Sequence, residues 1–410
     1  MASTNYPGSI DAYPVPNNGD TISVADHWLG PAVIGIETEL GTDPAGSHIN
    51  VKDRLDQVDS AMGFKNRIIG GNFSTNPWQR GTSFTGVTNA YTADRFRPVL
   101  STAGVIDVDK TADAPTVSEA GIFTQHCLDV DVTTADASVA AGDYALLHQP
   151  IEGYNSLDLG FGQSGTRYLT LSFWHKHTKT GTQSVAITNS DNSRSYVAEY
   201  TQTTTNTWEK AEITIPVDTS GTWIYDNGIG LKVWFCMMVG STYGGTAGSW
   251  SGSTFFGSSN QVNNLDSTSN NFKIALVQLE AGDKATRFET RSVGQELELC
   301  QRYFEKSFSQ GTAPAQNVGN AKGAIGISGV STNAFVLMGY ATFAREKRSE
   351  PTVTTFNPFS AGGGWSQSGT LDIATGLYAL GTRAITIRVN GTPTSAASNY
   401  TVHWTADAEL

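Results

Sequence analysis

The chain has 410 residues, a net charge of -12 and only 16% charged residues set against 43 glycines. At about 100 to 200 residues per domain this length predicts two to three domains. The longest basic cluster is AREKR at 344–348, which leaves a nucleic-acid groove no electrostatic basis, and the abundance of Gly, Ser, Thr and Asn favours short strands joined by polar turns over helical bundles.

Cys127, Cys236 and Cys300 lie far apart with neither metal nor disulfide spacing. They read as buried apolar residues of a chain folded in a reducing compartment. No apolar run approaches the ~18 residues of a membrane span. The opening MASTNYPGSIDAYPVPNNGD has no basic start followed by an apolar stretch, so neither a signal peptide nor membrane insertion is expected.

Residues 1–64 form the first predicted unit. Tyr6, Tyr13 and Trp28 stand isolated among Pro7, Pro14 and Pro16, the composition of a disordered tail or of an arm that orders on another protein, and the aromatics favour the arm. Val33, Ile36 and Leu40, then Val51, Leu55, Val58 and Met62, recur at spacings of three and four, the seam of a coiled coil. GTDPAGS breaks the pattern, and Asn50 can cap the second helix. Helices this short are marginal alone. Their seam must be covered by copies of itself or by the following domain, and the polar Lys52, Asp53, Arg54, Asp56 and Asp59 favour copies.

The second unit, residues 65–306, opens with NRIIGGNFSTNPWQRGTSF at 66–84. This string has neither G-x-x-x-x-G-K-[ST] nor a helix-opening G-x-G-x-x-G. Asn72, Ser74, Thr75, Asn76 and Pro77 break a helix before it starts, so the stretch reads as a strand entering a β-domain through a glycine corner. Period-2 alternation follows. Leu169, Leu171 and Phe173 alternate with Thr170, Ser172 and Trp174; Val233, Phe235 and Met237 alternate with Lys232, Trp234, Cys236 and Met238. YALLHQPI, KAEITIPV and FKIALVQLE add strands, with polar turns between, the form of an antiparallel sandwich. The longest loop, 240–261, is Gly/Ser-rich yet holds Tyr243, Trp250, Phe255 and Phe256. Leu297, Cys300 and Phe304 are spaced for a short connector helix. The third unit, residues 307–410, shows only short strand patterns, from AIGISGV to NYTVHWTADAEL.

Acid pairs at Asp129/Asp131, Glu209/Glu212 and Glu296/Glu298 are expected on solvated faces, because spacing alone cannot set the separation a glycosidase needs. His175 and His177 share a strand face and are expected at the surface beside Lys176 and Lys179, with no third ligand for a metal. No G-x-S-x-G nucleophile is present. Catalytic residues, a cofactor and a metal are therefore not expected. Aromatics carry more information. Trp174 and Trp234 fall on the strand face opposite the apolar one, while Tyr243, Trp250 and Trp365 sit in loop-like sequence. These five are the candidate carbohydrate contacts, since a half-wet ring can stack on a sugar. A second packing layer or a subunit contact is the alternative.

Several strings together resemble a known group. NRIIGGNFSTNPWQRGTSF with YTADRF, LSFWHKHTKTGT, VQLEAGDKATRFETRSVGQELELCQRYFEKS and the terminal HWTADAEL resemble the jelly-roll, carbohydrate-binding-module-like domain of bacteriophage tail fibre proteins. ETELGTDPAGSHINVKDRLDQVD is similar to the stretch linking a virion-anchoring arm to the shaft in that group. The resemblance implies a mainly β fold: an extended N-terminal arm with short helices, an antiparallel jelly-roll β-sandwich and a C-terminal β-sandwich-like domain as receptor-binding tip. It implies a homotrimer, docked through its arm on a phage tail or its adaptor or collar protein, binding a bacterial surface polysaccharide, in a virion assembled in the host cytoplasm. Trp78, Arg80 and Phe84 would lock the jelly-roll entry. A head fibre or capsid decoration protein with the same modules is the alternative, and a capsule depolymerase is disfavoured because no β-helix repeat is present.

Overall fold

The computed structural model describes residues 64–330, 337–369, 371–390 and 397–410. The anchoring residues Tyr6, Tyr13 and Trp28 and the whole predicted seam from Val33 to Met62 lie outside the described residues. Asn66–Leu410 forms one compact unit.

Two six-stranded antiparallel sheets face each other. The first runs, edge to edge, through Ser83–Phe84, Val105–Thr111, Cys127–Thr134, Asn271–Ala281, Tyr168–His177 and Glu209–Pro216. The second runs through Trp250–Ser251, Ser195–Gln202, Gly181–Thr188, Ile229–Val239, Tyr144–Glu152 and Arg97–Ser101. The chain crosses between sheets at most connections, the jelly-roll-like habit. Between them lies one core that includes Leu169, Leu171, Phe173, Val233, Phe235, Leu147, Val185 and Ile274. Alternation along each strand sends these residues inward, as expected from period 2. Both sheets also carry a second apolar layer on their outer faces. Trp234, Cys236, Leu146, Ala186, Val197 and Phe256 form one; Cys127, Ala275, Leu276 and Ile122 form the other, with Trp174 and Trp208 packed against it.

His175 and His177 are buried, not at the surface. They continue the inward parity of Leu169, Leu171 and Phe173, so the alternation that sets the core also places them in it. His175 Nδ1 lies 2.8 Å from Gln202 Oε1, and His177 Nε2 lies 3.0 Å from the Tyr200 hydroxyl. Burial lowers the proton affinity of both imidazoles, so they are neutral hydrogen-bonding core residues.

The glycine corner is explained by close approach. A Cβ on Gly71 would stand 2.2 Å from the Val277 carbonyl oxygen, and Gly70 has φ +73°, a conformation costly for any other residue. The Gly70 N–H donates to buried Glu296 Oε2 at 2.9 Å. Glu296 belongs to the helix Val293–Gln301, started by a Ser292/Gln295 capping box. The helix stops before Phe304, which instead opens the strand Phe304–Lys306 and pairs with Asp407 at the chain end. Trp78 is buried and its indole N–H donates to Phe73 O at 2.9 Å. The Arg80 guanidinium lies 3.7 Å over Phe304 and pairs with Asp407 and Glu409.

Beyond Lys306 the strand Ala397–Asp407 is the hub: Phe304–Lys306, Ile325–Val330, Thr352–Phe356 and Trp365–Gln367 all pair with it. A separate sheet, Met338–Thr342, Ala384–Val389 and Thr375–Leu380, closes a second core around Trp365, Ile385, Ile387, Tyr400, Val402 and Trp404. The joint to the sandwich is polar and buried. Glu152 accepts from Arg302 Nε at 2.8 Å and from the Tyr303 hydroxyl at 2.7 Å. Arg95, in the left-handed region at φ +73°, stacks on Tyr303 and pairs with Glu409.

Candidate functional site

The 240–261 segment is a folded cover on the outer face of the second sheet. Gly244–Gly245 and Gly257–Ser258 pair in parallel. A Cβ on Gly245 would lie 2.3 Å from the Phe255 ring, so glycine lets that ring lie flat against the backbone. Tyr243 packs edge-on to Tyr144 at 5.3 Å, and Phe256 packs on Trp234 at 4.8 Å.

Within this segment lies an open cleft of 370 Å³ lined by Trp250, Phe255, Thr246, Ser249, Ser251 and Ser259, with Gly244 and Gly245. Among the described residues, none that lines it is charged. Trp250 is half-buried and held from three sides. Its indole N–H donates to Pro216 O at 2.6 Å, and its ring stands edge-on to Phe161 at 5.9 Å and to Trp223 at 5.7 Å. A fixed, half-buried aromatic ring can stack on a sugar's apolar face while the four hydroxyl side chains beside it bond the sugar's hydroxyls, at little entropic cost because the ring is already positioned.

The five aromatics proposed from sequence do not converge. Trp250 alone lines the cleft, and Tyr243 lies beneath the same segment in the apolar layer. Trp234, 5% exposed, stacks on His148 and packs against a tilted Phe256 in that layer. Trp174 packs on the outer layer of the other sheet. Trp365 is 0% exposed; it is not a loop residue but opens the strand Trp365–Gln367, with its indole N–H donated to Arg388 O at 3.1 Å. Trp365 and Trp234 therefore present no face to a sugar, and the second-layer alternative describes Trp234 and Trp174. Phe255 also lines the cleft; nothing in a Gly/Ser run shows which ring faces outward.

The acid pairs are mostly tied into the structure. Asp129 and Glu296 are buried, contrary to a solvated face. Lys273 stands 3.1 Å from Asp129 and 3.0 Å from Asp113. Burial pushes the Asp129 carboxyl up to about 6 against the pull of Lys273. Burial works against the Lys273 ammonium, but Asp129 and Asp113 outweigh it and push it up. Glu209 accepts the Thr203 and Thr204 N–H groups at 3.0 and 2.8 Å. Glu212 pairs with Lys210, and Glu298 pairs with Arg345. Among the described residues no group of three or more His, Cys, Asp or Glu is placed to hold a metal.

The fold defines the class: a mainly β chain built on an antiparallel, jelly-roll-like sandwich. No family model matches the sequence, and no curated protein matches it. Among solved structures the chain is similar to the enzymatically active domain of bacteriophage CBA120 tailspike protein 4, at 14% identity and TM-score 0.26, over 53% of this chain and 21% of that one. It is similar to TmCBM61 in complex with beta-1,4-galactotriose, at 11% identity and TM-score 0.27, over 53% of this chain and 100% of that one. It is also similar to the family 11 carbohydrate-binding module of the cellulase Lic26A-Cel5E of Clostridium thermocellum, at 13% identity and TM-score 0.26, over 48% of this chain and 95% of that one. Scores this low leave the function to be argued from the residues.

Proposed function

We propose that the chain is a non-catalytic glycan-binding protein of a phage virion, a short tail fibre that anchors through residues 1–64, trimerises there and binds a host-surface polysaccharide through its β-units. The observation that carries glycan binding is the uncharged cleft that sets the Trp250 and Phe255 rings beside Thr246, Ser249, Ser251 and Ser259. The virion role, the trimer and the tail attachment are supported by the sequence resemblance. A trimer would turn weak single-site contacts into avidity.

The test is binding of the purified chain to a panel of bacterial surface polysaccharides. Ser249 is exposed, so Ser249→Arg fills the cleft mouth without removing core packing. It is expected to weaken binding at least tenfold with an unchanged melting temperature, whereas undiminished binding in both Ser249→Arg and Trp250→Ala would remove the cleft from the reading. Release of reducing ends from a bound polysaccharide would make the chain an enzyme.

A further inference from the structure

We propose that a second site, on the outer face of the second sheet, holds an oxyanion between Arg97, His148 and Lys232, and that the oxyanion is a carboxylate or phosphate group of the bound glycan. The ligand's origin rests on the glycan-binding reading; the site itself does not.

The register makes the site. Arg97 is the direct cross-strand partner of His148, and His148 is that of Trp234, so the three stand side by side at about 4.8 Å per strand. Lys232, two residues before Trp234, projects from the same face. This row lies next to the edge of the 240–261 cover, where Phe256 meets Trp234. The strand of His148 is four strand spacings from that of Trp250, about 19 Å, a span that an extended oligosaccharide can bridge.

His148 is 5% exposed, and its ring is fixed by parallel stacking on Trp234 at 4.3 Å and 8°. Among the described residues, neither of its ring nitrogens has a hydrogen-bonding partner. A buried polar group left unsatisfied costs about 1 to 3 kcal/mol, and native structures seldom keep one without a reason. Burial, then the charges of Arg97 and Lys232, hold this imidazole well below its usual range. An anion between the two cations would cancel their effect and accept from the ring.

The cations are prepared for such a ligand. Arg97 Nε donates to Asn89 Oδ1 at 2.9 Å, and Lys232 Nζ donates to Ser190 O at 2.7 Å and Asn192 Oδ1 at 3.1 Å. These neutral acceptors orient both side chains without neutralising them. Among the described residues no carboxylate lies within ion-pair distance of either, and Asp191 acts on Lys232 only at longer range. In a chain of net charge -12, two unpaired cations flanking an unpartnered histidine form a local positive site. The guanidinium supplies forked donors, the ammonium a point charge and the imidazole an N–H.

Calorimetric titration at constant ionic strength tests this with inorganic phosphate, trigalacturonate and neutral galactotriose, on the wild type and on Arg97→Gln, Lys232→Gln and His148→Gln. Trigalacturonate and phosphate separate the carboxylate and phosphate sources. The expected result is that at least one anion binds and that Arg97→Gln and Lys232→Gln, both at half-buried positions, each raise its Kd about tenfold. Histidine-selective 15N spectra should show the His148 ring nitrogens shifting on saturation. Anion binding that depends on Arg97, with no glycan bound by any protein, would keep the site and remove the adhesin reading. Glycan binding untouched by all three substitutions, or no heat and no His148 shift with either anion, would overturn the site.

Discussion

Replacing Trp365 by alanine should unfold the C-terminal core rather than weaken a sugar contact. The ring is wholly buried among Ile385, Ile387, Tyr400 and Val402. About 200 Å² of aromatic surface at about 25 cal/mol per Å², less what alanine still buries, gives a loss of about 4 kcal/mol. Gly339 sharpens the test. A Cβ there would lie 2.6 Å from Trp365 Cη2 and 2.5 Å from Ile325 Cγ2, so Gly339→Ala alone should cost about 1 to 3 kcal/mol by overpacking. In the double variant the Trp365 clash is gone while the Ile325 clash stays. The two changes should then cost less together than their sum, by about 1 kcal/mol. Urea unfolding followed by tryptophan fluorescence and far-UV circular dichroism measures all four proteins. A Trp365→Ala protein within about 1 kcal/mol of wild type, or strictly additive losses in the double variant, would refute this account of the packing.

Two further outcomes follow from the buried charges. Asp129, with its carboxyl pushed up to about 6 by burial, holds its proton more tightly folded than unfolded, so stability from this group is full below about pH 4 and falls as pH rises through 6. Asp129→Asn should therefore gain up to about 3 kcal/mol over wild type between pH 4 and 7, with Lys273 still paired to Asp113. Melting curves across that range check it, and a constant difference would count against the burial effect. Glu152→Gln removes the carboxylate shared by Arg302 and Tyr303, and because Arg302 is about a third exposed the expected loss is about 2 kcal/mol rather than the full cost of breaking a buried pair. Scanning calorimetry should show the C-terminal core melting ahead of the sandwich in this variant, and a single unshifted transition would argue against Glu152 coupling them.

Much of the fold was legible in the sequence, because a strand's period of two writes the core face directly into residue order. That held for Leu169, Leu171 and Phe173 and for Val233, Phe235 and Met237. The same rule, carried two and four residues further, places His175 and His177 inside; polarity alone suggests otherwise, but a histidine with a partner can be a core residue. The glycine corner was legible as a turn. Its purpose, clearance against Val277 and an N–H for Glu296, depends on segments more than 200 residues away.

The aromatics mark the limit of the sequence. Periodicity tells which side of a strand a residue takes, and it correctly set Trp234 opposite the main core. It cannot tell whether that side is wet, because this depends on what another segment lays over it. Here 240–261 covers Trp234, turns its own Tyr243 inward and leaves Trp250 at a cleft, while the later strands Ala384–Val389 and Ala397–Asp407 enclose Trp365. The unpartnered His148 between two cations is a product of strand register across three strands distant in sequence. Local pattern thus determined the strands and their inner faces; long-range pairing decided which outer-face residues solvent can reach.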